Sequence, residues 1–107
     1  IGVVYDDLGR YEDALAAYAS ARSIYLSHGM EVEVAGVNHN IGAIYYKLGR
    51  YEEALEAYRS ARAVYASHDM EVEVAGVNRN MGAIYYKLGR YEEALSTFKP
   101  IFYSSCG

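Results

Sequence analysis

The sequence predicts an all-α fold, a solenoid of antiparallel helix pairs, from a 40-residue repeat, helical spacing of apolar residues and glycine breaks. Residues 31–58 and 71–98 are identical at 23 of 28 positions, and residues 11–30 align with 51–70. A fixed period of 20 to 50 residues is typical of repeat architectures, in which neighbouring units stack on one another. The differing pairs are His39/Arg79, Ile41/Met81, Glu56/Ser96, Ala57/Thr97 and Tyr58/Phe98.

Each unit contains two apolar stripes with helical spacing, here called helix A and helix B. The stripe of helix A consists of Val37, Ile41, Ile44, Tyr45 and Leu48, and that of helix B of Tyr51, Ala54, Leu55, Tyr58, Ala61, Val64 and Tyr65. Gly49 separates them, since glycine at a helix C-terminus adopts a left-handed backbone without a Cβ clash. The short connection makes the two helices antiparallel neighbours. A second break, at Ser67-His68-Asp69-Met70, joins helix B to the next helix A.

One segment also fits a strand. Glu31-Val32-Glu33-Val34 alternates as a half-buried strand does, but the alternation is short and runs directly into the helical stripe that begins at Val37. Acidic residues also suit the first turn of a helix, where the helix dipole favours negative charge. We therefore predict a helix here.

The repeat divides the chain into a single domain, 1–107, with unequal units. A partial first repeat (1–30) has a helix A of about eight residues followed by helix B; a second repeat follows at 31–70 and an altered third repeat at 71–99. Pro100 stands where earlier units have Ser20 and Ser60, so the last helix is predicted to end or kink near Lys99. The irregular tail, 100–107, either folds back as an apolar cap or is the remnant of a truncated reading frame. Because a solenoid without capping repeats exposes apolar ends, we expect either end-to-end association of copies or a larger parent protein.

Composition and charge argue against two classes of binding partner, nucleic acids and membranes. The net charge is -4, with acidic residues scattered among basic ones, so no face suited to a phosphate backbone is evident and nucleic acid is not an expected partner. No run of about 20 apolar residues is present, so a membrane is not expected either. The single cysteine, Cys106, excludes an internal disulfide and is compatible with a reducing compartment, which suggests a cytoplasmic location.

The order of small and large residues in the unit resembles the tetratricopeptide repeat (TPR) family. The resemblance rests on Asn40-Ile41-Gly42-Ala43-Ile44-Tyr45, then Leu48-Gly49-Arg50-Tyr51-Glu52-Glu53-Ala54-Leu55, then Tyr58 and Ala61. The family's commonest unit has about 34 residues, an early aromatic in helix A and a proline after helix B. Here the period is 40, Asn38 takes the aromatic's place and no proline follows Ala61.

Such long units are similar to the arrays of kinesin light chain and of polarity adaptors with Leu-Gly-Asn repeats. They also resemble bacterial regulatory proteins that join such arrays to switch domains. The family's fold implies a right-handed superhelix in which Gly42, Ala54 and Ala61 allow helices A and B to approach closely. Tyr45 and Tyr58 would fill the gaps around these small residues, together with Leu48 and Tyr51.

The resemblance also implies a function, since helix A lines the concave surface of such a superhelix. A protein–protein interaction scaffold is therefore expected, with a peptide or partner segment bound in a groove of helix A positions that point away from helix B. The expected groove positions are His39, Asn40, Ala43, Tyr46 and Lys47 in one unit and Arg79, Asn80, Ala83, Tyr86 and Lys87 in the next. The partial first unit has Asp6 and Asp7 at the places of the tyrosine and lysine. Positions 39, 43 and 46 also lie opposite 41, 45 and 48 on a helix.

Each groove candidate has a structural alternative. Asn40 and Asn80 either pair with the main chain of an extended peptide, since an amide both donates and accepts, or bridge helix A to its neighbour. Tyr46 and Tyr86 either form a platform for apolar ligand groups or pack successive A helices together.

A structural role is the preferred interpretation for two further pairs of residues, one of lysines and one of asparagines. Lys47 and Lys87 would attract acidic ligand groups, but the helix dipole favours a lysine near a C-terminus in any case. Asn38 and Asn78 lie near the apolar stripe, where an unpaired amide costs about 1–3 kcal/mol. These two are predicted to be hydrogen-bonded structural residues.

No pattern in the sequence indicates catalysis, a cofactor or a metal. His28 and His68 recur in equivalent turns without a Cys or carboxylate set at ligand spacing. The Glu12-Asp13 and Glu52-Glu53 pairs open helix B, where a solvated face and the helix dipole explain them. No nucleophile with a base and no phosphate loop is recognisable, so an enzyme is not expected. Two alternatives to a binding module are an architectural or self-associating segment and a regulatory arm of a larger multidomain protein.

Overall fold

A computed structural model of the chain describes residues 10–90 and 92–94, and all regular structure in these ranges is helical. Four helices of 17 residues follow one another: α1 (Tyr11–Ser27), α2 (Glu31–Lys47), α3 (Tyr51–Ser67) and α4 (Glu71–Lys87). α1 and α3 are B helices, and α2 and α4 are A helices. The all-α prediction is confirmed, and the alternating segment Glu31–Val34 is the first turn of α2. The expectations for the first helix A, for Lys99 and for the tail 100–107 concern residues outside those described.

The helices end in turns that the glycine pattern predicted. After α2, Gly49 has φ +76, and after α4 Gly89 has φ +73. The Arg50 N–H donates to the Tyr45 carbonyl at 2.8 Å and the Gly49 N–H to the Tyr46 carbonyl at 3.0 Å. These two bonds satisfy carbonyls at the helix end and form a Schellman motif. The break after α3 has the same bonding with Asp69 in the left-handed position, at φ 56.

Small residues bring α2 and α3 close together. A Cβ added to Gly42 would lie 2.9 Å from two ring atoms of Tyr58. Ala54 and Ala61 of α3 are both fully buried, and Tyr58 between them is 3 % exposed. The predicted close approach at Gly42, Ala54 and Ala61 is therefore confirmed, and this helix pair shares the most extensive contact in the described part.

The core continues from one unit into the next. Each helix packs on the next one along the chain, so α2 lies between α1 and α3, and α3 also contacts α4. The largest fully buried side chains come from three helices and are Ile44, Leu55, Val77, Met81 and Ile84. Stacking of units thus buries one continuous core, as expected of a solenoid. None of the described helices is long and apolar enough to cross a membrane.

Candidate interaction surface on the A helices

The open side of α2 carries a row of polar residues. Glu33, Asn40 and Lys47 are exposed and lie seven residues apart, which places them two turns apart on one face. On α4 the corresponding positions are Glu73, Asn80 and Lys87, of which only Asn80 is half-buried. These six residues define what we call the A-helix face.

The two asparagines of this face differ in their environment. Asn40 is exposed, and its amide makes no hydrogen bond within the described part of the chain. The Asn80 Nδ2 donates to the His39 Nε2 at 2.9 Å, which links α4 to α2. Burial lowers the pKa of His39, which favours the neutral ring that accepts this bond. Asn80 therefore makes the bridge between neighbouring A helices, while Asn40 leaves a donor and an acceptor open to solvent.

His39 and Tyr46 lie elsewhere than expected. The His39 ring centroid lies 5.5 Å from that of Tyr58, and the Tyr46 centroid lies 5.6 Å from that of Tyr51. Tyr51 and Tyr58 belong to α3, so the expectation that positions 39 and 46 point away from helix B is wrong. The helical period places 39 and 46 on the same side as Gly42, where α3 approaches most closely. Both side chains are half-buried at the edge of the A-helix face.

The corresponding residues of the next unit are more accessible. Arg79 and Tyr86 of α4 are both exposed, and 66 % of Tyr86 is open to solvent. Lys87 places its Nζ 6.0 Å from the centroid of the Tyr46 ring, within reach of a cation–π contact between units. Lys47 makes the same type of contact with Tyr11 at 5.9 Å.

The prediction for Asn38 and Asn78 is confirmed. The Arg22 Nη1 donates to the Asn38 Oδ1 at 2.9 Å, and the Arg62 Nη1 donates to the Asn78 Oδ1 at 2.8 Å. Each bond joins a B helix to the following A helix. The arginines were not singled out from the sequence, although they recur at the 40-residue period, each 16 residues before its asparagine.

Comparison with known proteins identifies the repeat. The profile of the Tetratricopeptide repeat family matches residues 33–99, and a second profile of the same description matches residues 1–27. The chain belongs to the tetratricopeptide repeat family. TPR units generally mediate protein–protein interactions, and theirs is a non-catalytic scaffold fold.

A crystal structure of BtubC (BKLC) from P. vanneervenii is similar to the TPR chain, with a TM-score of 0.74 and 30% sequence identity. The similarity covers 90% of this chain and 42% of that one, so this chain spans less than half the length of BtubC. A search of curated protein sequences found no match.

The acidic pairs that open the TPR B helices form surface ion pairs. Arg50 bonds Glu53 of its own unit and lies 3.9 Å from Glu12 of the preceding unit. Arg90 repeats this arrangement, with Glu52 at 3.2 Å. The hydrogen bond to Arg50 lowers the pKa of Glu53, and that bond raises the pKa of Arg50. The solvated-face interpretation of Glu12 and of Glu52-Glu53 is confirmed, since all three side chains are exposed.

The repeated histidines have structural partners. The His28 Nδ1 lies 3.0 Å from the Ile24 carbonyl, and the His68 Nε2 lies 3.3 Å from the Glu31 carboxylate. Within the described ranges, no group of three or more His, Cys, Asp or Glu side chains lies close enough together to hold a metal ion.

Proposed function

We propose that the chain is a protein-binding module whose A-helix face holds an extended segment of a partner. The supporting observation is the exposed, unbonded amide of Asn40 on the same face as Asn80, Lys47 and Lys87. An amide that donates and accepts at once pairs with the main chain of an extended peptide, and this pairing does not depend on the peptide's sequence. Asn80 keeps its Oδ1 and its second N–H available after bonding to His39.

The exposed side chains of α4 would add affinity and selectivity. Tyr86 offers a large aromatic surface, and tyrosine and arginine are enriched among the residues that dominate binding energy at interfaces. Arg79 takes the place of His39 in the next unit, so the face gains a positive charge there. His39 and Tyr46 act as half-buried walls that support this face. The proposal assigns the chain no catalytic step, cofactor or metal.

The test compares peptide binding by the wild type and a double variant. Peptides are selected from a displayed random 12-residue library against the 107-residue chain, and their dissociation constants are measured by titration calorimetry. Asn40→Ala with Asn80→Ala is expected to weaken binding roughly tenfold, because two amide hydrogen bonds of about 0.5–1.5 kcal/mol each are lost. Ser23→Ala, an exposed polar change on α1, is the matched control. Selected peptides that bind the double variant with unchanged affinity, at equal helical content, would contradict the proposal.

A second candidate function is self-association through the ends of the solenoid. Ile24 and Leu26, near the C-terminal end of α1, are 60% and 62% exposed, and exposed apolar groups favour contact with another surface. Light scattering across a wide concentration range tests this candidate. A dimer that dissociates on Ile24→Ser with Leu26→Ser supports it, and a monomer at every concentration rejects it. A role as a regulatory arm would be recognised from flanking domains in a longer parent chain.

A further inference from the structure

A pocket lies on the side of α2 opposite the A-helix face. It has a volume of about 680 Å³ and opens between the two B helices, α1 and α3, with α2 as its floor. Asn38, Ile41 and Tyr45 supply the floor, and the helical period places them on the other side of α2 from Glu33, Asn40 and Lys47. The volume is within the range of roughly 300–1,000 Å³ that is usual for ligand sites.

We call the contact between a B helix and the following A helix a junction, so that α1 with α2 is the first junction and α3 with α4 is the second. The second junction differs from the first at several positions, among them Glu56 in place of Ala16 and Met81 in place of Ile41. Tyr85 of α4 corresponds to Tyr45 of α2, and Arg59 of α3 corresponds to Ala19 of α1. The Arg59 Nη2 donates to the Tyr85 hydroxyl at 2.9 Å. At the first junction Ala19 lines the open pocket instead, and the Tyr45 hydroxyl makes no hydrogen bond within the described part of the chain.

Tyr45 and Tyr85 each have an arginine over one face of the ring. The Arg50 guanidinium carbon lies 4.7 Å from the centroid of the Tyr45 ring, and that of Arg90 lies 4.9 Å from the Tyr85 centroid. Each ring face is thus covered by an arginine from the following turn. The two junctions differ in what bonds the hydroxyl: a guanidinium does so at Tyr85, whereas none of the described residues does so at Tyr45.

The pocket is lined by one positively charged residue fewer than the corresponding part of the second junction. Its charged lining consists of three glutamates and two arginines: Glu12, Glu53, Glu56, Arg22 and Arg50. The corresponding charged residues of the next junction, including Arg59, are three glutamates and three arginines: Glu52, Glu56, Glu93, Arg59, Arg62 and Arg90. The pocket therefore carries one negative charge more than its counterpart. Glu56 is exposed and makes no ion pair with another described residue.

We propose that this pocket binds an arginine side chain of a partner protein, which takes the place that Arg59 occupies at the next junction. The guanidinium donates to the Tyr45 hydroxyl and lies near the Glu56 carboxylate, and its methylene groups contact Ile41 and Ala57 on the pocket lining. The pocket is larger than one side chain, so the residues that flank the arginine fit along the cleft between α1 and α3. This site is separate from the A-helix face, and the chain therefore has two binding surfaces on opposite sides of α2.

The test titrates the ¹⁵N-labelled 107-residue chain with a blocked Gly-Gly-Arg-Gly-Gly peptide and follows backbone amide shifts by NMR. The expected result is a saturable shift at Ala19, Tyr45 and Ala57, with a dissociation constant on the order of 1 mM. The same peptide with citrulline, a neutral isostere of arginine, should bind about tenfold more weakly because the charged hydrogen bonds are lost. Saturable shifts at Asn40 and Asn80 instead would assign the peptide to the A-helix face and overturn the inference.

Two variants distinguish peptide binding in the pocket from a general effect of added positive charge. Ala19→Arg supplies an internal guanidinium as Arg59 does, and it should abolish the titration. Ala63→Arg, which adds the same charge at an exposed position of α3 outside the pocket, should leave it unchanged. Three results would each overturn the inference. They are peptide binding that survives Ala19→Arg, equal binding of the arginine and citrulline peptides, and no saturable shift at 10 mM peptide.

Discussion

Tyr58 of α3 lies directly on Gly42 of α2, so that no side chain fits between the two helices at this point. A Cβ on Gly42 would come within 2.9 Å of the Cδ1 and Cε1 atoms of the ring. The ring is 3 % exposed, so it is buried against its neighbours. Burial raises the pKa of Tyr58 to about 12, which also reflects how little water reaches its hydroxyl.

Gly42→Ala is therefore expected to destabilise the chain. Overpacking costs about 1–3 kcal/mol, whereas alanine gains about 1 kcal/mol of helix propensity over glycine, so a net loss of roughly 1 kcal/mol is expected. Gly76→Ala is the matched control, because a Cβ there meets no atom within 4 Å and should add about 0.5–1 kcal/mol. Urea denaturation measures both changes. A Gly42→Ala chain as stable as the Gly76→Ala chain would contradict the close approach.

This packing shows how much of the fold the sequence could predict. The period, the breaks between helices and the small residues at Gly42, Ala54 and Ala61 all follow from spacing, because helices with a short connection must pack side by side. Gly42 also indicates which side of α2 faces α3, and the helical period places positions 39 and 46 on that same side. The expectation that His39 and Tyr46 point away from helix B conflicts with this period, and their rings lie against Tyr58 and Tyr51 of α3.

The turn after α3 contains a residue in an unfavourable backbone conformation. Asp69 has φ 56, in the left-handed region where the equivalent Gly29 has φ 66. A Cβ in this conformation costs about 1–2 kcal/mol, although Asp tolerates it better than most residues. We expect Asp69→Gly to raise the free energy of unfolding by roughly 0.5 kcal/mol and Gly29→Asp to lower it by a similar amount. Changes of the same sign in the two variants, measured by thermal denaturation, would refute this explanation.

His39 makes the stability of the chain depend on pH. Because burial lowers the pKa of His39 in the folded state, the unfolded chain takes up a proton first, at a pKa near 6.5. The contribution is fully present above pH 6.5 and is lost as the pH falls through the lower folded pKa. His39→Gln keeps an acceptor for Asn80 without a titrating ring, so its stability should fall less between pH 7 and pH 5. Parallel pH profiles of unfolding free energy for the wild type and the variant would disprove this role.

The candidate site was harder to predict than the fold. Asn40 and Lys47 are both exposed and lie two turns apart on one face of α2, and their role in binding remains a prediction. A bridge from Asn80 to a neighbouring A helix was one of the two alternatives, but its partner His39 could not be named, since their relative position depends on the offset between successive units. The pocket between α1 and α3 could not be anticipated either, because its lining residues come from three helices whose relative placement the sequence does not give.

The repeated arginine–asparagine bonds provide a measure of coupling between units. Arg62 donates to Asn78 at 2.8 Å and Arg22 donates to Asn38 at 2.9 Å, so the two bonds have nearly the same geometry. A double-mutant cycle with Arg62→Ala and Asn78→Ala is expected to give a coupling energy of about 1–2 kcal/mol, because one partner is charged and both are half-buried. Arg22 and Asn38 line the open pocket, where water competes for both groups. Their coupling should therefore be weaker by about half, and a coupling at Arg22–Asn38 as large as that at Arg62–Asn78 would show that the pocket does not admit water to this bond.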